Sequence, residues 1–172
     1  MKDLHSCYLA VGTDMIIEDE NIWMPLYGRN GLCKIDRKKK QCESIVCFKD
    51  EKLSQEYLYD SVIKVGEKII LIPGSAFKIA IYDIRDGNIQ YIEILEVCGE
   101  QYDLKFWGGF TYKNDVYLLG CQYPAILKIE LENLDVSYIN DWIPTIKNYN
   151  KNTFDSLKFL HDKQSHRCFH LS

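Results

Sequence analysis

Between residues 14 and 154 the chain has no histidine; its four lie at His5, His161, His166 and His170. Acid–base chemistry in that stretch is left to Asp, Glu, Lys or Tyr, and no paired carboxylate spacing signals it. No two of the seven cysteines form a C-x-x-C pair, and their number is odd. Neither a complete disulfide framework nor a zinc knuckle is therefore indicated, and most cysteines read as reduced. No stretch approaches the roughly 18 apolar residues of a membrane span, and the short apolar run at 8–11 falls below a secretory core. The expectation is a cytoplasmic protein without a membrane partner. A basic excess is missing too: 21 Lys and Arg stand against 25 Asp and Glu, a formal charge of -4. That argues against a nucleic-acid footprint.

What the 172 residues do contain is 47% hydrophobic residues, many of them β-branched or aromatic. They recur in register: residues 14–60, 61–107 and 108–154 overlay as three units of 47 residues without a gap. Ile22, Ile69 and Val116 coincide, as do Leu32, Ile79 and Ile126, then Asp36, Asp83 and Glu130, then Ile45, Ile92 and Ile139. Ahead of the first set each unit carries a polar turn, Asp19-Glu20-Asn21, Gly66-Glu67-Lys68 and Lys113-Asn114-Asp115. A repeat of this length points to one supersecondary unit that hides its apolar faces by stacking on copies of itself.

Each unit reads as four short strands, clearest in the third at 109–112, 116–120, 125–131 and 136–140. Connections of a few residues make them antiparallel, since parallel crossovers need about a dozen residues. The second strands, Ile69-Ile70-Leu71-Ile72 and Val116-Tyr117-Leu118-Leu119, are apolar throughout, as where both faces of a sheet are covered. The fourth strands alternate, as in Ile89-Gln90-Tyr91-Ile92-Glu93, which suits a half-solvated rim.

On these features the chain resembles the β-propeller class, in the broad sense that includes kelch-like and Trp-Asp-repeat proteins. It has no Trp-Asp ending and no kelch diglycine in its usual place; Gly108-Gly109 falls before a first strand, in one unit only. The expected architecture is all-β: one propeller-like domain over 1–172, with blades at 14–60, 61–107 and 108–154 and remnants at 1–13 and 155–172. A β-sandwich of irregular hairpins is the competing fold. Three blades are fewer than the four to eight of closed propellers. Residues 154–159 copy the opening of the second unit and then the pattern stops, so a partial propeller is expected. Open blade edges would favour self-association.

The resemblance implies that loops from second to third strands share one face with the interblade connections, where propellers commonly bind ligands. The candidate binding residues there are Tyr27, Arg29, Asn30, Ser75, Phe77, Lys78, Gln122 and Tyr123, with Tyr59 and Trp107 from the connections. Tyr57, Tyr102, Phe106, Tyr149 and Phe154 lie in the same connections. Such aromatics stack on sugar rings or anchor a protein partner, and they equally pack between blades. The implied function is a non-catalytic binding or scaffold module for a protein or a glycan. The alternative is a propeller-class enzyme acting on a sugar or small polar ligand, with Asp60, Asp103 and Asp155 near first-strand starts as acids. No cofactor and no metal is expected: the tail set His161, His166, Cys168 and His170 matches no recurring zinc spacing. The run Arg37-Lys38-Lys39-Lys40 falls where the other units have hairpin turns, so it reads as a solvated turn. Cys33 and Cys42 align with core positions; Cys121, in a loop, is the cysteine best placed for reactivity, with no histidine nearby in sequence to activate it.

Overall fold

The computed structural model describes residues 10–11, 14–27, 30–48, 58–95 and 104–141. Their secondary structure is β throughout. One compact unit comprises residues 1–138; a second begins at Ile139, and of it only 139–141 are described.

The second repeat gives a four-stranded antiparallel meander: β6 (Tyr59–Val65), β7 (Lys68–Pro73), β8 (Lys78–Asp83) and β9 (Ile89–Glu93), hydrogen-bonded in that order. The third repeats it with β10 (Phe106–Tyr112), β11 (Asp115–Gly120), β12 (Ile126–Glu130) and β13 (Asp135–Ile139). In the first, β3 (Asn21–Tyr27), β4 (Gly31–Asp36) and β5 (Gln41–Cys47) follow the same order. Its innermost position is shared by β2 (Ile16–Glu18), paired with the start of β3, and β1 (Ala10–Val11), paired with its end. In the third unit the first strand begins at Phe106, ahead of the 109–112 that the sequence pattern suggested, and both β6 and β10 carry a bulge, at Tyr59/Ser61 and Phe106/Gly108. Gly108-Gly109 accordingly lies inside β10, not before it. A Cβ at Gly109 would meet the Tyr117 carbonyl oxygen and sit 2.9 Å from Ile63 Cδ1, so glycine permits the close approach of β10 to β6.

The 47-residue spacing is written into the backbone. The Arg37 amide donates to the Glu20 carbonyl at 2.6 Å, and Ile84 to Glu67 at 2.8 Å. The Leu58 carbonyl accepts from the Gly74 and Ala76 amides, and the Lys105 carbonyl from those of Cys121 and Tyr123. Gly87 donates to Asp83, and Leu134 to Glu130. Left-handed residues repeat likewise: Asp19, Gly66 and Lys113 have φ of 46°, 56° and 57°, and Lys40, Gly87 and Leu134 have 53°, 74° and 62°. The backbone keeps the turn even where the glycine that would suit it is absent.

One sequence equivalence shifts. Lys34 pairs with Ser44 but Ile35 with Cys42, so Glu43 is an extra residue in β5. This β-bulge slides the first unit by one position: Ile79 faces Ile92, whereas its counterpart Leu32 faces Val46, not Ile45.

Alternation along strands divides the core. From β7, Ile69 and Leu71 join Ala80 and Tyr82 against Trp23 and Leu32 of the first sheet. Ile70 and Ile72 join Ile79 and Ile81 against Val116, Leu118, Leu127 and Ile129 of the third. This is why β7 is apolar without alternation: each of its faces meets another sheet. Fully burying each such side chain contributes about 1.5–3 kcal/mol. β11, which reads the same in sequence, departs from that expectation. Val116 and Leu118 are buried, but Leu119 is 41% exposed, because among the described residues no second sheet lies on that side. There Phe110 and Tyr117 stack in parallel with ring centroids 5.3 Å apart.

Candidate functional site

Two loops of the second and third sheets, 74–77 and 121–125, leave the same ends of their strands and are joined through residue 105. The Lys105 amide donates to the Gly74 carbonyl at 2.9 Å while its own carbonyl holds the 121–123 turn. Its ammonium donates to the Ser75 carbonyl at 2.8 Å and stands 4.8 Å from the centre of the Phe77 ring. Lys105 is only 6% exposed. Long cationic side chains reach such burial when the head group is hydrogen-bonded and the stem covers apolar surface. The sequence-based list of site residues lacks it. The signal was there in the repeat: lysine occupies the position that Leu58 holds in the preceding unit.

Beside this junction, Phe77, Lys78, Glu93, Ile94 and Leu95 line a groove of about 370 Å³. Lys78 and Glu93 are cross-strand partners, with Nζ 3.9 Å from Oε1, and the same ammonium lies 5.8 Å from the Tyr91 ring centre. The floor is set by the Ile94 amide donating to the Phe77 carbonyl at 3.2 Å. The Leu95 side chain, 65% exposed, forms its rim. Its backbone is pinned on both sides of the Cα: the Tyr123 hydroxyl donates to its carbonyl at 2.8 Å, and its amide donates to the Tyr138 hydroxyl at 3.0 Å.

The ten sequence-selected residues therefore separate. Phe77 and Lys78 line the groove, and Ser75 supplies the carbonyl that holds Lys105. Gln122 is exposed and accepts the Leu104 amide at 3.1 Å. Tyr123 and Tyr59 are buried between sheets: Tyr123 packs on Phe106 with centroids 5.2 Å apart, and Tyr59 on Phe48 at 4.6 Å. Of the connection aromatics that are described, Tyr59 and Phe106 are buried and Trp107 is 61% exposed; Tyr57, Tyr102, Tyr149 and Phe154 lie outside the described residues. Asn30 is buried with φ 49°, and its carbonyl accepts the Phe48 amide at 3.1 Å. Tyr27 ends β3, its side chain outside the described residues, as is all of Arg29.

Of the candidate acids, Asp60 is buried on β6; Asp103 and Asp155 lie outside the described residues, as do the tail His161, His166, Cys168 and His170. Among the described residues no three His, Cys, Asp or Glu side chains gather as a metal site would need. The run from Arg37 to Lys40 is the exposed turn between β4 and β5. Cys121 is less suited to nucleophilic work than its loop position suggested, since burial pushes its thiol above the usual range despite a hydrogen bond from Trp107. Cys42, which aligned with core positions, is exposed, while Cys33 is buried as expected.

A second hollow, about 310 Å³, opens at the opposite strand ends between the turns of the second and third sheets, lined by Gly66, Glu67, Lys68, Arg85, Asn114 and Glu132 among others. Its charges are mixed, and Arg85 is engaged by Asp83 at 3.0 Å, which holds that carboxyl below its ordinary value.

No known family pattern matches the chain, and no curated protein matches its sequence. Solved structures do. Streptogramin B lyase is 15% identical with a TM-score of 0.58, over 74% of this chain and 39% of its own. The hydrazine synthase of Kuenenia stuttgartiensis is 11% identical with a TM-score of 0.58, over 80% of this chain and 38% of its own. The extracellular domain of a one-component system from B. thetaiotaomicron is 15% identical with a TM-score of 0.56, over 74% and 16%. The chain thus spans well under half of each. At these identities the likeness concerns the fold, and with three antiparallel sheets packed face to face, two of them four-stranded meanders, it makes this an all-β protein of partial β-propeller architecture.

Proposed function

We propose that the chain is a non-catalytic binding module that engages a protein through the loop face of its second and third blades. The supporting observation is the groove beside the β7–β8 loop. Phe77 and Lys78, two residues that repeat equivalence selects, line it together with an exposed Leu95. An apolar rim next to a cation–carboxylate pair, held on a rigid strand end, suits a protein segment that offers one aliphatic or aromatic anchor and a neighbouring charge. Lys105 and the two tyrosine hydroxyls fix the backbone beneath it, so little ordering has to be supplied on binding.

The test is capture by the immobilised full chain, with a glycan array in parallel. Replacing Lys78 by Gln, which puts no like charge opposite Glu93, and Leu95 by Asp together should abolish protein capture while costing less than about 1 kcal/mol of stability in urea. A double variant that retains every interaction of the parent removes this face from consideration. Glycan binding that depends on the same two residues would move the reading to a carbohydrate ligand.

The enzyme reading has less behind it. Two of the neighbours, the streptogramin B lyase and the hydrazine synthase, are by name enzymes, but a shared fold does not carry an activity. Asp60, the one candidate acid described, is a buried strand residue outside the groove.

A further inference from the structure

Two thiols on neighbouring strands of the first blade stand in contact. Cys33 on β4 and Cys42 on β5 have their Sγ atoms 3.1 Å apart, and neither is joined in a disulfide. Both are on one side of the sheet, because Cys42 pairs with Ile35, two residues beyond Cys33. In a regular antiparallel pair such diagonal neighbours stand about 7–8 Å apart, their Cβ atoms somewhat closer. The difference lies between them. The register breaks at Lys34/Ile35, where Glu43 is inserted. A bulge bends its strand and increases the local twist, which here draws the diagonal pair together.

Their surroundings differ in a complementary way. Cys33 is buried with Met24 and Leu26, whereas Cys42 is exposed. One thiol is reachable from solvent and the other is waiting behind it.

We propose that Cys33 and Cys42 are a redox-modification site, which a low-molecular-weight disulfide of the glutathione class converts to an intrachain disulfide across β4 and β5. The Cys42 thiolate attacks one sulfur of the small disulfide. A mixed disulfide forms at Cys42 and one small thiolate leaves, taking up the proton that Cys42 lost. Cys33 then loses its proton to solvent base, and its sulfur attacks the Cys42 sulfur. The protein disulfide forms and the second small thiol leaves. In sum two protein thiols are oxidised to one disulfide, and one small disulfide is reduced to two small thiols. The sulfurs close from 3.1 Å to the roughly 2.05 Å of the bond by side-chain rotation. Burial, the largest cause, raises the Cys33 thiol above its ordinary range. The second step therefore quickens as pH rises.

The full chain is incubated with glutathione disulfide, quenched with acid, alkylated and mapped by mass spectrometry. The parent should lose two hydrogens and yield a Cys33–Cys42 linked peptide that dithiothreitol reverses. Cys33→Ser should stop with one glutathione on Cys42. Cys42→Ser, an exposed change that leaves the fold intact, should form no linked peptide and leave Cys33 unmodified. The proposal is overturned if the parent stops at the mixed disulfide, if Cys42 links to another cysteine or a second chain, or if Cys33 is modified equally fast in Cys42→Ser.

Discussion

Tyr123 donates its hydroxyl to the carbonyl of Leu95 at 2.8 Å, tying the third blade to the end of the second. The ring behind that hydroxyl is buried against Phe106. Tyr123→Phe keeps the packing and removes the bond, so it should lower stability by about 0.5–1.5 kcal/mol. Urea unfolding of the two proteins reads this directly. A loss near zero would mean that water takes over the Leu95 carbonyl at no cost.

Ile72 and Leu119 occupy the same place in successive units, 47 residues apart, yet one is fully buried and the other is 41% exposed. Ile72→Ala should cost about 2–5 kcal/mol. Leu119→Ala should stay within about 0.5 kcal/mol, as for surface changes. The comparison also reports on self-association through the outer side of the third blade. If a second copy covers that side in solution, Leu119→Ala becomes costly, and Leu119→Asp shifts the chain to monomer in light scattering.

The left-handed turns carry strain where side chains other than glycine occupy them. Lys40 and Lys113 are exposed and sit at φ of 53° and 57°. Lys40→Gly and Lys113→Gly should each stabilise the fold by about 0.5–1 kcal/mol, since a left-handed non-glycine residue costs about 1–2 kcal/mol and glycine returns part of that as unfolded-state entropy. Gly87→Ala, at φ 74°, should destabilise. Thermal melts of the three variants settle the sign.

Cys33 gives the fold a dependence on alkaline pH. Its thiol is raised from 9.0 to about 12 by burial and by the adjacent Cys42. Above pH 9 the unfolded chain releases this proton while the folded chain retains it, so the unfolded state binds fewer protons and stability falls as pH rises through that window. Denaturant midpoints should decline above pH 9 in the parent. Cys33→Ala, weaker at neutral pH from the lost packing, should show a shallower decline.

The repeat, the four-stranded unit and the half-solvated outer strands were legible because the period of two and the turn residues are local properties of the chain. Ile89, Gln90 and Tyr91 show their alternation in one line of text. Burial of β11 was not legible in this way: Val116-Tyr117-Leu118-Leu119 is as apolar as Ile69–Ile72, and only the neighbouring sheet decides whether the second face is covered. The bulge at Glu43 escaped for a related reason. The first unit keeps 47 residues despite the insertion, so a gapless overlay passes across it. At the candidate site the loop equivalence placed Phe77 and Lys78 on the groove, while Tyr59 and Tyr123 turned out to pack between sheets. An aromatic residue suits both settings, and composition does not separate them. Leu95 was missed because a leucine in a connection carries no motif, and Lys105 because its signal, a lysine where the preceding unit has Leu58, shows only when the connections themselves are laid over each other. Their roles come from the tyrosine hydroxyls and the carbonyl that reach them.

The four residues of β7 that face alternately into two separate cores, Ile69 and Leu71 on one side and Ile70 and Ile72 on the other, make the middle blade the keystone of the unit. Fraying of either outer sheet strips one face of this strand and leaves the other clamped. Amide hydrogens of β7 should therefore be the slowest to exchange with deuterium, opening only when the whole unit unfolds, while those of β2 and β13 exchange through smaller, cheaper excursions.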